Sequence, residues 1–154
     1  MYQDYNQIPP YGQPYNQEPQ YYQRQVSFGE AISRGLSNYC NFEGRASRSE
    51  YWWFQLFIFI IGSPFAFIAG FMEGMGSDLY IVPQIIYYLI VLALLLPQLG
   101  LFVRRMHDIG KSGWWYFLNF LCCVGPIILL VWEIKDSDPV ENEYGPVPNL
   151  EPIN

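Results

Sequence analysis

Three stretches of this chain contain no charged side chain, and they set its architecture. Tyr51 to Phe71, Leu79 to Val103 and Trp114 to Trp132 hold no Asp, Glu, Lys or Arg. Each is near the roughly 20 apolar residues that cross about 30 Å of hydrocarbon. The pattern therefore predicts an all-α membrane protein with three spans, over about 51–71, 79–103 and 114–132. Four prolines interrupt them: Pro64, Pro83, Pro97 and Pro126. In a membrane such residues kink a helix and neighbouring groups re-satisfy the freed backbone. Pro83 lies in the first turns of its span, where a missing N–H costs least, and Pro97 is deep enough to bend the second span.

A different period precedes the first span. Ser27 with Glu30 three residues later forms a capping box. Phe28, Ala31, Ile32, Leu36, Tyr39 and Cys40 follow at helical spacing, opposite Ser33, Arg34, Ser37 and Asn38. This predicts an amphipathic helix over 27–40, lying in the membrane interface or packed on the protein's own spans. Residues 1–25 are rich in Tyr, Gln, Asn and Pro and almost free of aliphatic residues. Such a segment buries too little surface to offset its ordering entropy, so a disordered tail is expected there. The membrane domain then covers 26–149, and residues 133–154 form an acidic tail.

Composition agrees with this outline. Of 154 residues, 51% are hydrophobic and 14% charged, and the net charge is -6. Ordinary globular chains carry about 25% charged residues, and an acidic chain lacks the basic face that nucleic acid requires. Three cysteines make no disulfide framework, and adjacent Cys122 and Cys123 read as small buried thiols. The basic residues set sidedness. Arg24, Arg34, Arg45 and Arg48 precede the first span, Arg104, Arg105 and Lys111 separate the second and third, and the first loop has Glu73 and Asp78 alone. The positive-inside rule then predicts a cytoplasmic N-terminus, a cytoplasmic 104–115 loop and, after three crossings, an outside C-terminus.

Two dense boxes flank the spans. The first, FEGRASRSEYWWF, runs from Phe42 to Phe54; the second, RRMHDIGKSGWW, from Arg104 to Trp115. With the closing NEYGPVPN at Asn142 to Asn149, they resemble a bacterial inner-membrane family known as domain of unknown function 805. The resemblance covers about residues 26–149. It implies a multi-pass membrane protein and brings no established activity, ligand or cofactor.

The physical reading of the boxes is an inter-box clamp or an anion site. Arg45, Arg48 and Glu50 are expected to meet Arg104, Arg105, His107, Asp108 and Lys111 on the cytoplasmic side. Five bases against two carboxylates leave positive charge, which attracts anionic lipid by about 1 kcal/mol per side chain. Tyr51, Trp52, Trp53, Trp114 and Trp115 are expected as interfacial anchors. Gly110 and Gly113 allow a tight reversal, and Ser112 is placed to cap the third span.

Catalysis and metal binding are argued against. Gly110-Lys111-Ser112 lacks a P-loop, since the required earlier glycine is Arg105. One His and three Cys make a poor zinc set. Ser47 or Ser112 with His107 and Asp108 gives no sign of triad geometry. The expected function is a non-enzymatic platform for anionic lipid, a protein partner or a second copy, with no cofactor. Gly70 and Gly74 have dimer-motif spacing at a span end. The alternative is a small channel or transporter subunit, although the spans lack the ionisable residues that ion-coupled carriers keep.

Overall fold

The computed structural model describes residues 21–153. In chain order it has β1 (Tyr21–Gln23), α1 (Phe28–Ser37), α2 (Arg48–Gly74), α3 (Ile81–Asp108), a 3-10 run (Gly113–Phe120), α4 (Val124–Ile134) and β2 (Leu150–Pro152). Most of the tail expected at residues 1–25 lies outside the described residues. The part within them is ordered: Tyr21–Gln23 pairs antiparallel with Leu150–Pro152, with Tyr22 opposite Glu151.

Two helices are long and apolar enough to cross a membrane. α2 has 27 residues and α3 has 28, or about 40 Å each at 1.5 Å per residue. They pack as an antiparallel pair joined through a 3-10 turn at Asp78–Tyr80. Only 17% and 6% of their most apolar windows are buried within the protein. Phe59, Phe67, Leu89 and Leu92 all face outward, as lipid-facing side chains do. The first span begins earlier than the apolar pattern implied, because Ser47 with Glu50 is a second capping box: Ser47 Oγ accepts from Glu50 N at 3.4 Å.

The third charge-free run does not form one helix of spanning length. Residues 113–120 make a 3-10 run, the chain turns at Cys122 with φ of 40°, and α4 has 11 residues. That is about 16 Å of helix, half of what a crossing needs. Pro126 sits in the first turn of α4, where it marks a restarted helix and not a kink. Gly125 permits the reversal: a Cβ there would lie 1.7 Å from Leu118 O, so the two backbones touch. The segment is a hairpin that leaves and returns to the same end. Cys122 and Cys123 are exposed at its turn and not buried as expected.

The termini follow from that return. Residues 136–152 lie against residues 21–50 and the end of α3, at the same end of the α2–α3 pair. The acidic tail and the N-terminal box thus share one end of the helical pair. The core beneath this cap joins Ala46, Tyr51, Phe54, Leu101, Phe102, Met106, Ile109 and Leu129. α1 docks on α2 through Ala31 and Gly35, the latter against the Phe54 ring. Phe28, Leu36 and Tyr39 remain exposed, so α1 packs on the protein while keeping an apolar outer face.

Pro97 explains how α1 is tied down. Having no N–H, it leaves the carbonyl of Ala93 without its intrahelical donor. Tyr39 Oη donates to that carbonyl. An unpaired carbonyl in apolar surroundings costs about 1–3 kcal/mol. Tyr39→Phe should destabilise the folded protein by about that amount in a denaturation titration in detergent. In a Pro97→Ala background, which restores the helical donor, the same substitution should cost little. Equal losses in both backgrounds would contradict the assignment.

Candidate functional site

The last turn of α3 brings Arg104, Arg105 and Asp108 to the cap, and the loop before α2 brings Arg45. Asp108 is fully buried. Its Oδ1 accepts from Arg45 Nε at 3.0 Å, and its Oδ2 accepts from Arg105 Nη1 and Ser137 Oγ, each at 2.5 Å. Its backbone carbonyl accepts from Arg45 Nη2 and Asp138 N, both at 3.1 Å. Two guanidiniums thus share one carboxylate. Backbone carbonyls of the returning chain supply the remaining acceptors. Arg45 donates to Asp138 O at 2.7 Å, Val140 O at 2.8 Å and Gly145 O at 3.3 Å. Arg105 donates to Glu133 O at 3.3 Å and to Lys135 O. The planar guanidinium suits this multidentate work, where an ammonium would reach fewer partners.

A second ion pair lies beside the first. Glu50, 2% exposed, accepts from Arg104 Nη1 at 3.1 Å and from Arg34 Nη1 at 3.5 Å. Arg104 Nε and Nη2 are buried with no hydrogen-bond partner among the described residues. The closing motif completes the cap through its asparagines. Asn149 accepts from Arg34 Nη1 at 2.5 Å and donates to Ser47 Oγ at 3.1 Å. Asn142 Nδ2 donates to the His107 carbonyl at 2.9 Å. Tyr144 stacks on His107 at 3.8 Å, nearly parallel, and His107 Nδ1 lies 3.2 Å from Gly44 O. Among the described residues, His107 bonds neither Asp108 nor a serine, and no cluster of three metal-ligating side chains occurs.

The expected residues are therefore brought together, with different roles. Arg45, Glu50, Arg104, Arg105 and Asp108 form the buried clamp. Arg48 remains at the surface, paired with exposed Asp136 at 3.2 Å. Lys111 lies 4.2 Å over the Trp132 ring. Trp52, Trp53, Trp114 and Trp115 are exposed, as anchors would be, but Tyr51 is 4% exposed and belongs to the core. Ser112 caps the 3-10 run, accepting from Trp114 N at 3.4 Å, and Gly110 takes φ of 66° at the reversal. The positive surplus expected from the boxes is offset, because the returned tail adds Asp136 and Asp138 at this end. Sequence reasoning missed Arg34, Ser137, Asn142, Tyr144 and Asn149. The one signal for the last three was their place in the closing motif.

The terminal strands are clamped in the same way. Arg24 bonds Glu30 at 2.8 Å and Glu151 at 2.7 Å. The Arg24 hydrogen bonds hold the Glu30 carboxyl at about 2, below its usual 4.5. A depressed carboxylate contributes stability above its unfolded value and loses it as pH falls through the folded one. Protection of the β1 amides, measured against their intrinsic exchange rates, should therefore fall as pH drops from about 4.5 towards 2, and not on small changes around neutrality.

Breaking a buried pair by removing one partner costs about 3–5 kcal/mol. Asp108→Ala should lower stability in detergent by that amount, with a large fall in membrane yield. His107→Phe, which preserves the stack on Tyr144, should be tolerated better than His107→Ala. Thermal unfolding of the three variants would check the order, and a stable Asp108→Ala protein would refute the clamp.

The model of the family described as "Protein of unknown function (DUF805)" matches residues 39–146. The chain is 36% identical over 118 residues to "Inner membrane protein YhaH" of Escherichia coli strain K12, covering 76% of this chain and 94% of that protein. It is 38% identical over 115 residues to "Inner membrane protein YhaI" of the same strain, covering 75% and 92%. No solved structure matches. The matched region includes both boxes and the backbone carbonyls that accept from Arg45 and Arg105, and the chain belongs to the DUF805 family.

Proposed function

We propose that the protein is a non-enzymatic platform of the inner membrane, anchored by α2 and α3, whose cap lies at the cytoplasmic headgroup layer and engages lipid or a protein partner. The observation that supports this most is the use made of the box chemistry. Asp108, Arg45 and Arg105 are spent on one another and on backbone carbonyls, and His107 is held by a stack and a carbonyl. Among the described residues, these four side chains therefore make no acid–base pair with one another of the kind a reacting centre would use. Left facing outward at the rim are Trp52, Trp53, Trp114, Trp115 and Arg48, a set suited to headgroups.

Sidedness follows from charge. All eight Lys and Arg fall in the cap segments, at 24, 34, 45, 48, 104, 105, 111 and 135. The opposite loop has Glu73 and Asp78. With two crossings, the positive-inside rule puts both described ends in the cytoplasm. A fluorescent protein fused after residue 153 should fold and fluoresce, while alkaline phosphatase fused there should stay inactive. An active phosphatase fusion would reverse the orientation.

A second reading, the channel subunit, draws on a polar cavity of about 200 Å³ between α2, α3 and the hairpin, lined by Gln55, Gln98 and Asn119 among others. Proteoliposomes holding the purified protein alone separate the two. The platform reading expects no solute flux. It also expects photo-crosslinks to lipid or protein from a probe at Trp115. Flux abolished by Gln98→Leu would establish the channel reading in its place.

A further inference from the structure

A groove of about 580 Å³ opens where residues 23–25, the start of α2 and residues 136–137 meet. Its wall changes character along α2. Arg48, Gln25 and Asp136 stand at one end, and Trp52, Trp53 and Leu56 at the other. The aromatic part lies about 6–12 Å further along the helix, in the direction of the apolar span. Both indoles are fixed before any ligand arrives. Trp52 Nε1 donates to Glu133 O at 3.3 Å, and Trp53 meets Phe28 edge to face at 5.8 Å.

The polar groups are not equally available. Arg24 also borders the groove, but its guanidinium is engaged by Glu30 and Glu151. Ser49 Oγ accepts from Val26 N at 2.9 Å, and Ser47 Oγ from Asn149 Nδ2 at 3.1 Å. Arg48 differs. Its side chain is 51% exposed, and its one ion-pair partner, Asp136, is 92% exposed at 3.2 Å. A surface pair of this kind is worth about 0–1 kcal/mol, so both charges are free to turn to a ligand. They present a cation and an anion side by side above an apolar, aromatic wall.

We propose that this groove binds one phospholipid with a zwitterionic headgroup of a phosphate and a primary ammonium. Arg48 takes the phosphate and Asp136 the ammonium, while Trp52, Trp53 and Leu56 pack on the glycerol and upper acyl chain. A phosphoglycerol headgroup satisfies Arg48 but offers Asp136 no cation, so the carboxylate is left uncompensated beside a net negative lipid. A quaternary ammonium has no N–H to give the carboxylate. The proposal rests on the platform reading and names its lipid.

Native mass spectrometry of the full chain, released from membranes and offered equal amounts of phosphatidylethanolamine, phosphatidylcholine and phosphatidylglycerol, tests it. One phosphatidylethanolamine should be retained in preference to the others. Arg48→Gln should weaken retention about tenfold, the scale of a lost charge-assisted hydrogen bond. Asp136→Asn should abolish the preference over phosphatidylglycerol, and both variants should unfold at the parent temperature. Equal retention of the three lipids, or preference for phosphatidylglycerol that depends on Arg48, would overturn the proposal. So would a peptide or protein filling the groove in crosslinks from position 53. Lipid adducts insensitive to both substitutions, with crosslinks from Trp115 intact, would refute the groove while leaving the platform standing.

Discussion

One buried carboxylate holds the cap together. Asp108 binds Arg45 from the loop before α2, Arg105 from its own helix and Ser137 from the returning chain. Burying charge costs several kcal/mol per ion unless partners satisfy it. Here both carboxylate oxygens of Asp108 and every guanidinium nitrogen of Arg45 and Arg105 find a partner, most of them on backbone that would otherwise have no reason to stay. The arginines thus convert an irregular segment, residues 135–145, into part of the fold. The α2–α3 pair supplies a stiff base, and the ion cluster fixes what sits on it.

The spans and the boxes were legible for different reasons. Charge-free runs and capping boxes are local signals, so α1, α2 and α3 stand out in the sequence, with ends shifted by a few residues. The pairing of box one with box two was legible from charge alone. The third span was not, because hydropathy counts apolar residues and does not see a break. Gly125 and Pro126 contain the break, but a proline in an apolar run reads equally well as a kink. Because the chain turns back there, the C-terminal segment packs on the boxes, and its carbonyls become their partners. Arg34, Ser137, Asn142 and Asn149 act over separations of 29 to 115 residues, and no local pattern encodes such distances. Tyr51 misled for a similar reason: a tyrosine at a span entry is an anchor or a core residue depending on a neighbour far along the chain.

The hairpin of residues 113–134 gives the cap a third support without a third crossing. It leaves at Gly113, turns at Cys122 and returns at Trp132, where Lys111 and Trp115 pack on the same indole. Its outward face, with Phe120, Leu121, Val124 and Ile127, is apolar and exposed. A 16 Å element with such a face suits one leaflet. It widens the footprint of the protein near the cap and leaves the far end slender, with two helices alone.

The pairing of β1 with β2 also imposes an order of events during synthesis. Residues 133–145 are made after both long helices, so Arg45 and Arg105 wait for most of their acceptors, and Asp108 for Ser137, while the chain emerges. The helical pair can enter the bilayer early, but the cap closes late. A chain halted before Glu133 would present Arg45 and Arg105 without the backbone acceptors of the returning segment. The most buried charges of the molecule are thus satisfied only after the returning segment has been made, and the β1–β2 pairing closes last.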